Sequence, residues 1–222
     1  PYLDQSQTVI DLSVLKASIF VERQIDEKQA FYLSARQSLF QYYIENFLDD
    51  EEFELTTVPE YYDYQGKYQY TISDQEKVSF NILGARDKAG ILFDEDSDEV
   101  QQDPGLSGGA EFSSYFDSQG IVWEKYDDEG GSRVSSFSRL SQIFDFSVGS
   151  NIDLDIVTTD YSLRNQWSSI INPQHELLWG FDYTLKNIAF DGVFKGPPCD
   201  EFRVDCRLVD GTETITAKDT LS

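Results

Sequence analysis

Residues 28–48, KQAFYLSARQSLFQYYIENFL, hold neither Gly nor Pro and constrain the chain more than any other stretch. Tyr32, Ala35, Leu39, Tyr43 and Phe47 recur at spacings of three and four, and Phe31, Phe40 and Ile44 widen the stripe beyond a coiled-coil seam. Lys28, Gln29, Arg36, Gln37 and Glu45 leave a polar rim. The spacing predicts an amphipathic helix whose packing face is Tyr32, Ala35, Leu39, Tyr43 and Phe47. Upstream, Leu12, Leu15 and Ile19 share a face with Val14 and Phe20, and nothing in 22–28 breaks a helix. The expectation is one long helix over 9–48, or two in series. At 1.5 Å per residue it spans about 60 Å, so its first half would protrude. The acidic run 49–52 falls at the negative end of the helix dipole, a penalty that salt would screen.

After Pro59 the period changes to two. Tyr68, Tyr70 and Ile72 alternate in 65–72, and Val78, Phe80 and Ile82 alternate in 77–83, with a turn expected at 73–76. Further strands are expected over 120–125, 144–148 and 152–158, and a short helix over 162–171. Residues 179–185 with 187–194 read as a second hairpin, and 202–209 with 212–217 as a third, turning at Asp210-Gly211. A helix followed by antiparallel strands is the α+β class, here a long N-terminal helix packed on an antiparallel sheet or sandwich. The domain reading is a helical stalk over 1–58 and a β-rich globular domain over 59–222.

The charge bounds the surroundings. Forty-one acidic side chains face 17 basic ones, a formal net charge of −24 spread along all 222 residues. Self-repulsion of that size opposes compaction at low ionic strength and is largely screened above about 1 M salt. An acidic, halophilic protein fits this balance, whereas nucleic acid is excluded as a partner by repulsion from phosphate. Sixteen Phe and 13 Tyr are too many for a disordered polymer. Met is absent, including at position 1, which leads us to expect a segment upstream of Pro1.

Several motifs bear on chemistry. Asp94, Asp96 and Asp98 alternate as the first oxygen ligands of a calcium loop do. Glu99 and Gly105 stand where the EF-hand pattern needs Gly and Glu, so a Ca2+ site there competes with a solvated acidic loop. Residues 105–109, GLSGG, fit the nucleophile elbow of serine hydrolases, but without the flanking strand and helix the segment reads as a Gly-rich turn. No catalytic or cofactor-binding residue is assigned, and the chain is not read as an enzyme. His175, the single histidine, reads as a loop or strand-entry residue, and Trp123, Trp167 and Trp179 as core. Cys199 and Cys206 are spaced to close a turn as a disulfide, which implies an oxidising compartment; two unpaired thiols in a reducing one is the alternative.

Residues 28–39, KQAFYLSARQSL, resemble the segment just beyond the membrane helix of type IV pilin-like minor subunits, through Ala30-Phe31-Tyr32-Leu33. Ser34, Ala35 and Arg36 depart from the commoner residues there. The acidic composition resembles that of surface proteins of halophilic archaea. The resemblance implies a cell-surface protein anchored in the membrane by an N-terminal helix absent from this chain. It would act in filament assembly, adhesion or cell contact, with other pilin-like subunits or a cell-surface partner. A disulfide near the C-terminus also suits that family. The alternative is a membrane-anchored module binding carbohydrate or peptide; a third reading is an extracellular hydrolase built on carboxylates.

Overall fold

The computed structural model describes residues 6–42, 57–91, 100–101, 106–149, 152–195 and 212–221. They form ten antiparallel strands: β1 Gln7–Leu12, β2 Lys16–Gln24, β3 Gln29–Ser38, β4 Thr57–Ser73, β5 Glu76–Ile91, β6 Ala110–Tyr126, β7 Ser132–Val148, β8 Ile152–Asn172, β9 His175–Lys195 and β10 Thr212–Leu221. The strands pair strictly in chain order, so the sheet is a ten-stranded meander with β1 and β10 at its edges. Contacts of any extent link only consecutive strands.

This overturns the α+β reading and its long N-terminal helix. The described α-helical residues are confined to 40–42 and 100–101. Residues 29–38 are a strand paired on both edges, with Leu33 opposite Val21 of β2 and Gly66 of β4. Of the expected packing face, Tyr32 and Ala35 point to opposite sides of β3. Leu39 lies just past its end. Tyr43 and Phe47 lie outside the described residues. The physical reason is that Phe31, Leu33 and Ala35 also alternate with period two. Pairing on two edges, which no local spacing can register, decides between the two periods. The first three strands therefore continue the same sheet rather than forming a stalk.

The hairpin of β4 and β5 turns at 74–75 as expected. The strands foreseen over 120–125, 144–148 and 152–158 lie within β6, β7 and β8. Two expectations fail. Residues 162–171 continue β8 without a helix, and 179–185 with 187–194 are one unbroken strand, β9. The third hairpin is described only in part: 212–217 lies within β10, and 202–209 with the Asp210-Gly211 turn lies outside the described residues.

The two ends of the sheet differ. At one end β2–β3, β4–β5, β6–β7 and β8–β9 join through 25–28, 74–75, 127–131 and 173–174. At the other, three connections are long, over 39–56, 92–109 and 196–211. There is almost no core. Among the described residues Val100 is the single buried apolar side chain, and no side chain is wholly shielded. Among the described residues the strands form one layer, with no second sheet and no long helix packed on it.

Candidate functional site

In a single layer the two faces are the site. Directly paired residues point to the same side, so the register sorts every described side chain. One row reads Arg23, Phe31, Tyr68, Phe80, Ile121, Phe137, Leu163 and Tyr183 from β2 to β9. The row formed by their chain neighbours, on the opposite face, reads Glu22, Tyr32, Lys67, Asn81, Gly120, Ser138, Ser162 and Thr184. The first face is aromatic and aliphatic, and the second is polar.

Exposure runs opposite to that of a water-soluble sheet. Phe80, Ile121, Phe137, Leu163 and Tyr183 are 42–54% exposed. Ser38, Ser79 and Ser168 on the polar face are buried. A sheet curled toward its polar side would crowd that face and open the aromatic one, and the alternation along β8 fits this: Val157, Tyr161 and Leu163 are exposed, while Ile156, Thr158, Asp160 and Ser162 are half-buried.

The polar face carries most of the charge pairing. Five of the seven described ion pairs lie there: Lys16–Asp11, Arg36–Asp63, Lys77–Glu124, Arg164–Asp182 and Lys186–Asp160. Arg164 is bidentate, donating to both carboxylate oxygens of Asp182 at 2.6 and 3.2 Å. Ser162 and Thr184 hydroxyls meet at 3.1 Å between two of these pairs. Such ladders hold charges across neighbouring strands.

The apolar band crosses the sheet obliquely. The row that starts at Ile10 and Ile19 ends in Ser141, Thr159 and Asn187. The row that starts at Glu76 and Lys125 ends in Trp167 and Trp179. Moving from β1 to β9, the band thus shifts toward the short-turn end.

Near the long-connection end the two faces exchange character. Phe112 and Phe144 meet edge-on at 5.3 Å on the otherwise polar side, with Phe146, Leu154 and Ile156 beside them. The aromatic side there carries Glu111, Asp145, Asp155 and Asp191. Asp145, Asp155 and Asp191 lie in direct register across three strands. Desolvation, and then the neighbouring Asp145 and Asp191, push the Asp155 carboxyl above its usual range.

Glycines fit the aromatic face at two close approaches. A Cβ on Gly84 would lie 2.5 Å from Tyr64 Cζ, and one on Gly66 2.6 Å from Leu33 Cδ2. The Tyr64 ring therefore lies flat across Gly84, and its phenol donates to Asp117 Oδ2 at 2.5 Å. That bond, with burial second, pushes the Tyr64 phenol well above its ordinary value. Asp117 also accepts from Gln119 at 2.8 Å and pairs with Arg139 at 3.4 Å.

The residues singled out in the sequence are not assembled into a reactive centre. Asp94, Asp96, Asp98, Cys199 and Cys206 lie outside the described residues. No group of three or more metal-ligating side chains stands together among the described residues. Ser107 sits in a turn that leads directly into β6, with Gly108 and Gly109 at positive φ, so no helix follows it. His175 opens β9, its Nδ1 2.8 Å from Asn172 Oδ1. Trp123, Trp167 and Trp179, read as core, stand on the aromatic face, and Trp179 is 53% exposed. The best-formed hollow is open, about 220 Å3 in volume, and lies between the turns at 25–28 and 74–75. The continuous aromatic face is what single-residue motifs miss. Its signal was present in β9, where Leu177, Trp179, Phe181, Tyr183 and Leu185 occupy successive odd positions. No family model, curated protein or solved structure matches the chain.

Proposed function

We propose that this chain is part of the wall of a membrane-spanning β-barrel at the cell surface, with its aromatic face against lipid and its polar face lining the interior. The observation that carries this is the pair of neighbouring rows: Tyr68 to Tyr183 are exposed, while Tyr32 to Ser162 on the opposite face are half-buried. In water an exposed apolar ridge six strands wide is a liability, whereas hydrocarbon requires it. Lipid also demands that every backbone group be paired, which an antiparallel meander achieves once its edges are joined. Barrel closure pairs β1 and β10 with each other or with further strands.

Three other features support the reading. Closing a sheet tilts its strands against the barrel axis, so a level apolar belt must run obliquely to the register, as this one does. Short turns at one end and long connections at the other are the asymmetry of outer-membrane barrels. A spanning strand needs about 9–11 residues, whereas β8 and β9 have 21 each. Their long-connection ends, with Asp155 and Asp191, then stand beyond the lipid. The acid-rich segments 49–54, 94–99 and 127–129 all fall between strands in the chain order.

The protein's work on this reading is to hold a polar interior across a lipid layer and to present its long connections at the surface for contact or adhesion. Strands replace the N-terminal helix as the membrane anchor. The test uses the full-length protein in membranes, with Cys199 and Cys206 replaced by Ser and one spin label introduced at a time. Labels at 80 and 163 are expected to relax with oxygen, and labels at 65 and 164 with a water-soluble nickel chelate. Equal access of the chelate to all four positions would refute the reading.

A further inference from the structure

All three tryptophans of the chain stand on the aromatic face beside the short turns at 127–131 and 173–174. Trp167 and Trp179 are cross-strand partners, with rings stacked at 4.2 Å and 12°. Arg133 is the partner of Trp167 on its other side. Its guanidinium lies 5.1 Å from the Trp167 ring and 5.2 Å from that of Trp123. Lys125 pairs in register with Arg133, so two cations stand side by side on this face.

Seven described cations are ion-paired elsewhere, whereas no described carboxylate lies within 4.0 Å of Arg133 or Lys125, nor of Arg23, Lys28, Lys67 or Arg86. What sets Arg133 apart is the two indole rings beside its guanidinium. Glu76, the register partner of Lys125, instead accepts from the Trp123 indole N–H at 2.7 Å. A guanidinium beside two indole rings with no described carboxylate on it keeps its N–H donors for a phosphate. An adjacent ammonium adds a point charge without demanding a direction.

We propose that Arg133 and Lys125, framed by Trp123, Trp167 and Trp179, bind the phosphate of an anionic membrane lipid. This rests on the barrel reading, which puts these residues at the level of the headgroups on the short-turn side. The occupant is a lipid rather than free phosphate because the indoles continue directly into the apolar row at Ile121, Phe137 and Leu163. Glycerol and acyl chain then lie along the same face as the phosphate.

The test reconstitutes the full-length protein in phosphatidylcholine vesicles. These contain an equal fraction of either acyl-brominated phosphatidylglycerol or acyl-brominated phosphatidylcholine, and tryptophan fluorescence is read. Quenching by the anionic lipid is expected to be at least twofold stronger. In the Lys125→Gln/Arg133→Gln variant, which keeps all three indoles, the preference falls to parity while quenching by brominated phosphatidylcholine is unchanged. Arg133→Lys, which keeps the charge and loses the planar fork, is expected to lose part of the preference. Equal quenching of the wild type by both lipids overturns the headgroup site and leaves the barrel standing. Absence of quenching by either lipid overturns the barrel reading and this site with it. A preference that survives in the double variant overturns the assignment to these two residues.

Discussion

Phe137 and Ser138 are neighbours in the chain on opposite faces of β7, and replacing each by Lys tests the arrangement most directly. Phe137 is flanked in register by Ile121 and Leu163, is 51% exposed, and has its ring stacked 6.5 Å from Tyr161. About half of an aromatic surface of roughly 200 Å2 is therefore left for lipid to cover, worth about 2.5 kcal/mol at ~25 cal/mol per Å2. Placing a charge near mid-bilayer costs about 2–4 kcal/mol in barrel proteins, so Phe137→Lys is expected to destabilise by several kcal/mol. Ser138 is half-buried between Gly120 and Ser162 in the polar row. Ser138→Lys there has the Ser162 side chain on one side and Gly120, which has no side chain, on the other, so it is expected to cost under about 1 kcal/mol. Reversible urea unfolding of the full-length protein in lipid vesicles gives both values. In a sheet that turns its aromatic face to water the order reverses, because the exposed site tolerates Lys and the half-buried one does not. A cost for Ser138→Lys equal to or above that for Phe137→Lys would refute the reasoning.

Two further predictions follow from titration. The Tyr64 phenol is held above its ordinary range by its bond to Asp117, so the stability it lends is complete below that range and is lost as pH rises through the raised value. Asp117→Asn should lower the titration of one tyrosine toward its ordinary range in an ultraviolet absorbance titration, and Gly84→Val, by displacing the ring, should do the same while costing about 1–3 kcal/mol. No change in the tyrosine titration in either variant would count against the contact. Asp155 is raised by desolvation and by Asp145 and Asp191, so its contribution is fully favourable below the ordinary carboxylate range and disappears as pH rises through the raised value. Asp155→Asn should therefore stabilise the protein at neutral pH by about 0.2–1 kcal/mol, and the gain should vanish in acid; a gain independent of pH would exclude charge as the cause.

The sequence by itself determined the charge balance and the strands whose apolar phase stays constant. Tyr68 and Tyr70 against Val78, Phe80 and Ile82 could be read as a hairpin because every alternate residue agrees. It failed where the phase changes within a strand. In β8, Ile152, Leu154 and Ile156 lie on one face and Val157, Tyr161 and Leu163 on the other, so the second half lost its period and resembled a helix. In β9 the apolar positions change from odd to even between Leu185 and Ile188, and the change resembled a turn. Only the tertiary structure shows that both shifts are one event, the exchange of character between the two faces toward the long-connection end. It also decided residues 28–48, where spacings of two and of three or four coexist in Phe31, Tyr32, Leu33 and Ala35. A helix is closed by bonds within its own segment, whereas a strand is defined by partners far along the chain. Whether an apolar face points to a core, to water or to lipid depends on what packs against it, and a one-dimensional pattern does not carry that.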